Sequence, residues 1–100
     1  MSIDSITNNI IEWGNQKGIL PDPEPLAQLD KTKEEVAELE TAIYKRDDVE
    51  AKDAIGDIYV TLVMQAEAWG FTMNECIESA YNEIKDRTGK MVDGQFVKDK

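Results

Sequence analysis

Two groups of carboxylates carry the chemistry this sequence can offer. The first lies in Lys33-Glu34-Glu35-Val36-Ala37-Glu38. On a helix Glu35 and Glu38 are i,i+3 neighbours and Glu34 and Glu38 are i,i+4 neighbours, with Cβ atoms about 5–6 Å apart. The second is Glu50, Asp53 and Asp57, whose spacing keeps all three within about 60° on a wheel of 3.6 residues per turn. Like charges so placed repel one another, and something positive must compensate: Lys31, Lys33 or a bound cation. A cleft of oxygen ligands suits Mg²⁺, which is commonly held by carboxylates together with substrate phosphates. A solvated acidic face is the plainer alternative.

Composition removes most other chemistries. The chain has 100 residues, 21 Asp+Glu against 11 Lys+Arg, a net charge of −10, one Cys and no His. Without His there is no Ser-His-Asp or Cys-His nucleophile, and no Glu-x-x-His pair of the di-iron bundles. One Cys allows neither an intrachain disulfide nor a thiolate zinc site. The acidic balance argues against binding nucleic acid, which needs a basic face, and against an anionic membrane surface. The polar start, Met1-Ser2-Ile3-Asp4, lacks the pattern of a secretory signal. The uncharged run from Ile58 to Ala66 is far shorter than the ~20 residues of a membrane span. A cytoplasmic protein is expected.

The elements that must position the carboxylates read as four helices in one domain over residues 1–100. The first runs from Ser2 to Gln16, with Ile3, Ile6, Ile10 and Trp13 on one face. Pro21, Pro23 and Pro25 force an extended connection. The second runs from about Pro25 or Leu26 to Lys45, with Leu29, Val36 and Ile43 recurring every seven residues and Leu26 and Leu39 on the flanks. The third opens at Asp47 or Asp48 with Glu50 in a box-like start and ends at Gly70. Its stretch Ile58–Ala66 carries no charge and predicts a helix buried all round. That run places Asp57 at the edge of a desolvated region. Gly56 beside it permits close approach of a helix or ligand. Thr72-Met73-Asn74-Glu75 opens the fourth helix, with Ile77, Ala80, Tyr81 and Ile84 as its apolar stripe. Asp93-Gly94 between β-prone pairs signals a short hairpin tail. The fold class is all-α, a four-helix bundle.

The brief connection between helices two and three predicts antiparallel neighbours. Glu38 stands about nine residues before the turn and Asp57 about ten after it. At 1.5 Å per residue they reach the same level. A metal site formed jointly by the two helices is therefore favoured over surface acidity. Further along, Asn82 and Lys85 share a strip of the fourth helix and Arg87 follows. They read either as cations complementing a helix C-terminus or as a phosphate grip. Trp13 reads as a core residue or as a stacking platform for a base. More faces of helix three are apolar than one chain can cover, so a homodimer or homotetramer is expected.

These residues resemble the MazG-like family of all-α nucleoside triphosphate pyrophosphohydrolases over nearly the whole chain. The similarity is carried by Glu34-Glu35-Val36-Ala37-Glu38-Leu39 and by Ile55-Gly56-Asp57, against a family pattern of Glu-Glu-x-x-Glu followed by Glu-x-x-Asp. Lys31, three residues before the Glu pair, also matches. Asn82 and Lys85 resemble family residues that contact the triphosphate, and the tail resembles that of small phage-borne members. One position departs: Ala54 stands where the family has Glu, and Asp53 is the neighbour able to replace it. The resemblance implies hydrolysis of a (d)NTP to (d)NMP and pyrophosphate with Mg²⁺, or Mn²⁺ as a substitute. It implies Glu35, Glu38, Asp53 and Asp57 as ligands, Glu34 or Glu35 as proton acceptor, and Lys31, Lys85 and Arg87 on the phosphates. Trp13 and Asn15–Ile19 are the candidates for the base pocket. The rival reading is a helical regulatory module that kept the bundle and lost turnover through Ala54.

Overall fold

The computed structural model describes all 100 residues. Its elements are α1 (Ile3–Gln16), α2 (Pro25–Lys45), α3 (Asp48–Ala68), α4 (Met73–Ile84), β1 (Gly89–Val92) and β2 (Gln95–Lys98). Side chains set the helix starts. Ser2, Asp47 and Thr72 each accept a hydrogen bond from the backbone N–H three residues on, at 3.0–3.1 Å, satisfying one orphan donor of the first turn. Helix α2 has no such cap; Pro25 occupies its first position, where a missing N–H costs nothing.

The α2–α3 hairpin is the spine. It turns through Arg46, held at φ 54°, and Asp47. Ala42 and Ala54 are buried in the seam close to the turn. Further along, Thr32 Oγ1 donates to Thr61 Oγ1 at 2.8 Å, and Thr61 in turn donates to the Ile58 carbonyl at 2.7 Å. Near the open end Gln65 Nε2 donates to the Pro25 carbonyl at 3.0 Å. These cross-links fix the antiparallel register, and with it the level at which acidic side chains meet.

Helix α1 packs on the side of α3 away from α2. Leu20, Val63 and Met64 form the buried cluster, bordered by Ile10, Ile11, Ile19, Tyr59 and Met73. A Cβ on Gly14 would stand 2.8 Å from Met64 Cε and 3.1 Å from Leu20 Cδ1, so glycine is what lets α1 lie this close. Thr7 gives its proton to the Ile3 carbonyl, which leaves Tyr59 Oη as donor in their 2.8 Å hydrogen bond.

Helix α4 meets α3 near its own start, and no residue of α4 is fully buried. The strands pair antiparallel, Met91 opposite Phe96, around a turn with Asp93 and Gly94 both at positive φ. All eight strand residues are exposed.

Three sequence expectations are corrected. Helix α3 is not buried all round: Leu62 is exposed, because α1 and α4 cover its far side and α2 its seam, leaving one flank bare. The heptad residues Leu29, Val36 and Ile43 are exposed; the seam of α2 is built instead from Thr32, Glu35, Leu39 and Ala42, which are half-buried or buried. The stripe Ile77, Tyr81 and Ile84 also faces solvent, since α4 diverges from the bundle beyond its first turns.

Candidate metal centre

Glu35 belongs to the α2 seam, and Glu38 and Asp57 stand one residue before seam positions Leu39 and Ile58. That geometry turns all three toward one flank of the hairpin. One carboxylate oxygen from each of Glu35, Glu38 and Asp57 lies within 4.8 Å of the others. Glu35 and Asp57 are half-buried and Glu38 is exposed, so the cluster opens to solvent on one side.

The electrostatics are those of an uncompensated acidic site. Burial pushes the Glu35 carboxyl up to about 7, and the adjacent Glu38 and Asp57 charges push it the same way. Asp57 is also raised, first by desolvation and then by Asp53. Glu35 Oε2 is buried with no hydrogen-bond partner. A buried acceptor without a donor is costly, and three carboxylates this close cannot all ionise cheaply. A divalent cation among them would satisfy the orphaned oxygen and reverse the repulsion. The donor set, oxygen only, fits a hard ion.

The remaining sequence candidates fall in distinct places. Lys31 forms a 3.1 Å ion pair with Glu34, both well exposed, and Glu34 chiefly holds the Lys31 ammonium pKa above its usual value. Glu34 therefore sits at the rim, outside the triad. Asp53 is one turn before Asp57, close enough to raise its pKa, and borders a groove of about 420 Å³ with Glu50, Lys52, Gly56 and Asp57. Trp13 lines a cavity of about 290 Å³ with Ile6, Asn9, Ile10, Val60 and Asp57. The tryptophan thus shares a wall with a triad member, whereas Asn15–Ile19 take no part in that cavity. No side-chain hydrogen bond or ion pair engages Asn82, Lys85 or Arg87. Helix α1 stands between α4 and the triad: Ile3, Thr7 and Ile11 line a cavity with Met73 and Ile77 on one side, and Ile6, Ile10 and Trp13 face Asp57 on the other.

Sequence reasoning placed Ile10 on the Trp13 face but missed Asn9 there and did not bring Val60 to it. Asn9 lies one turn before Trp13, and that i,i+4 relation was the available signal. It also missed Lys45, which lines a groove of about 540 Å³ running from Glu38 toward the α2–α3 turn. Gly56 is corrected as well. A Cβ there would meet nothing within 4 Å, so no helix approaches it.

The family model of the MazG nucleotide pyrophosphohydrolase domain matches residues 24–92. The chain belongs to the MazG family. No curated protein and no solved structure matches it. The matched span contains the whole α2–α3 hairpin, so the triad lies within the part that defines membership. It also contains Ala54, 3% exposed in the seam, about one turn nearer the hairpin turn than Asp57. A Glu there would have to enter a seam that Ala42 and Ala54 close with small side chains. In this MazG chain the second aspartate, Asp53, borders the same groove as Asp57 instead. No helix of the chain is long and apolar enough to cross a membrane.

Proposed function

We propose that this MazG chain is a Mg²⁺-dependent nucleoside triphosphate pyrophosphohydrolase that converts (d)NTP to (d)NMP and pyrophosphate. The observation that carries the reading is the convergence of Glu35, Glu38 and Asp57 around an orphaned buried oxygen. Those three carboxylates would hold the ion, with Asp53 as the further ligand where the family Glu is absent. When bound, Mg²⁺ neutralises phosphate charge and activates water.

The chain's own residues supply the rest. Water adds across the α–β linkage, the bridging P–O bond breaks, and the two phosphate fragments separate. Glu35 is the proton acceptor of this reading, through a carboxylate oxygen not committed to the ion. Glu34, held at the rim by Lys31, orients that lysine toward the entering phosphates. The Trp13 cavity takes the base, with the indole for stacking and the Asn9 amide for a polar edge. Lys85, Arg87 and Asn82 can serve the phosphates only if α4 folds back or is presented by another copy. Homo-oligomer formation, as a dimer or tetramer, belongs to the same proposal, as does a cytoplasmic location.

The test is pyrophosphate release from a panel of dNTPs and NTPs with Mg²⁺. Turnover lost in Glu38→Ala and Asp57→Ala, with helical circular dichroism retained, supports the enzyme. A second reading is favoured by one observation, the closed Ala42–Ala54 seam: a regulatory module that binds the ion without turnover. A folded, Mg²⁺-binding protein silent across the whole panel would establish that reading instead.

A further inference from the structure

Two openings leave the triad in opposite directions along the hairpin. Toward the open end, Asp57 shares the Trp13 cavity with Val60, which stands one helical turn further along α3. Toward the turn, Glu38 begins the groove of about 540 Å³ that holds Thr41, Lys45, Asp47 and Glu50. Lys45 follows Glu38 by seven residues, and Glu50 precedes Asp57 by seven. Seven residues are close to two full turns, so both side chains keep the flank of the triad and stand about 10 Å nearer the hairpin turn. Glu50 also borders the groove of Asp53 and Asp57, so the two grooves meet there. Trp13 cavity, triad and Lys45 groove therefore follow one another along the hairpin.

Lys45 is the one cation lining its groove. Its ammonium is free, since the chain's one ion pair joins Lys31 to Glu34. Thr41 gives its proton to the Ala37 carbonyl, so Lys45 is also the one side chain there with a donor to offer an anion. Two of the three carboxylates have other work. Asp47 accepts from the Glu50 N–H at the start of α3, and Glu38 belongs to the triad. Side chains on a helix lean toward its N-terminus, which from position 45 is toward Glu38. A lysine in a last turn also complements the helix dipole. That role makes a separate prediction: stability lost and ligand affinity kept.

We infer that Lys45 binds the β- and γ-phosphates of the substrate, the part that leaves as pyrophosphate. The inference rests on the pyrophosphohydrolase reading. A nucleotide with its base beside Trp13 and its α-phosphate at the triad has the Lys45 groove for its far end. Negative charge collects on the pyrophosphate as the bridging P–O bond breaks, and an ammonium already in place stabilises it. Lys31 precedes Glu38 by the same seven residues, so it stands on the nucleoside side of the triad. The far phosphates thus receive a cation from the hairpin itself, without α4.

Titration calorimetry of the full chain with inorganic pyrophosphate in Mg²⁺ tests this without turnover. Lys45→Ala should weaken pyrophosphate binding by about tenfold or more, as expected for a lost charged donor. Lys45→Arg should restore most of it. Lys98→Ala removes the same charge from exposed β2 and should leave affinity unchanged. In turnover, Lys45→Ala should raise KM for a dNTP and relieve inhibition by pyrophosphate, with inhibition by the nucleoside monophosphate intact. No pyrophosphate binding by the unsubstituted chain, full affinity in Lys45→Ala, or an equal loss in Lys98→Ala would each overturn the inference. So would a lower melting temperature in Lys45→Ala with affinity unchanged, the mark of a dipole partner. Should the alanine variant fail to fold, Lys45→Gln makes the same comparison. A chain that binds pyrophosphate through Lys45 and hydrolyses no nucleotide would refute the enzyme reading and uphold Lys45 as the pyrophosphate ligand.

Discussion

The two flanks of one helical hairpin break opposite rules. On one, α2 and α3 crowd Glu35, Glu38 and Asp57 within 4.8 Å and leave an oxygen buried without a donor. On the other they leave Val36, Ile55 and Leu62 facing water. A folded chain has no reason to keep repelling carboxylates together or to expose an apolar seam, since each costs free energy in isolation. The acidic flank offers an oxygen-only donor set that fits a hard cation, and the apolar flank a continuous exposed stripe. The same register fixes both, because residues one before and one after the seam turn to opposite sides.

Removing a triad member should break the acidic flank most severely. Asp57→Ala or Glu38→Ala is expected to lower pyrophosphate release by about 10³-fold or more, since metal charge stabilisation is worth several kcal/mol and each 1.4 kcal/mol is about tenfold. Steady-state kinetics beside circular dichroism checks this. Asp53→Asn sharpens the picture: as the further ligand its loss should cost about 10–100-fold in activity or in Mg²⁺ affinity, measured by titration calorimetry. Unchanged affinity would remove Asp53 from the site.

The pH dependence follows from Glu35. Its folded pKa of about 7 lies above the ordinary 4.5, so the folded state binds more protons between those values. Metal-free stability should therefore fall as pH rises through that window. Glu35→Gln should melt higher than the unsubstituted chain at pH 8 without metal and draw level near pH 4.5. Added Mg²⁺ should reverse the order at pH 8. Thermal melts across pH decide it.

Smallest are the glycine effects. Gly14→Ala pushes a methyl against Met64 and Leu20 and should cost about 1 kcal/mol, tempered by the flexible Met64 end. Gly56→Ala enters open space in a helix interior and should stabilise by about 0.5–1 kcal/mol. Urea unfolding reads both.

The elements were legible because their signals are local: the caps at Asp47 and Thr72, the stop at Gly70 and the Asp93-Gly94 turn each act within a few residues. The pairing of Glu38 with Asp57 was legible too, because a two-residue turn turns sequence distance into height along the rods. What could not be read was which apolar stripe a single chain covers. Leu29, Val36 and Ile43 have the periodicity of a core, and nothing in their spacing distinguishes a stripe the chain covers from one it leaves exposed. The Trp13 cavity was half legible, since Asn9 and Val60 reach Asp57 only through the way α1 crosses α3, which depends on the close approach at Gly14.

Anomalous diffraction from a crystal grown with Mn²⁺ tests the central claim most directly. A single strong peak about 2.1 Å from oxygens of Glu35, Glu38 and Asp57 is the expected result. A map with no peak there, and the three carboxylates turned apart into solvent, would contradict the account.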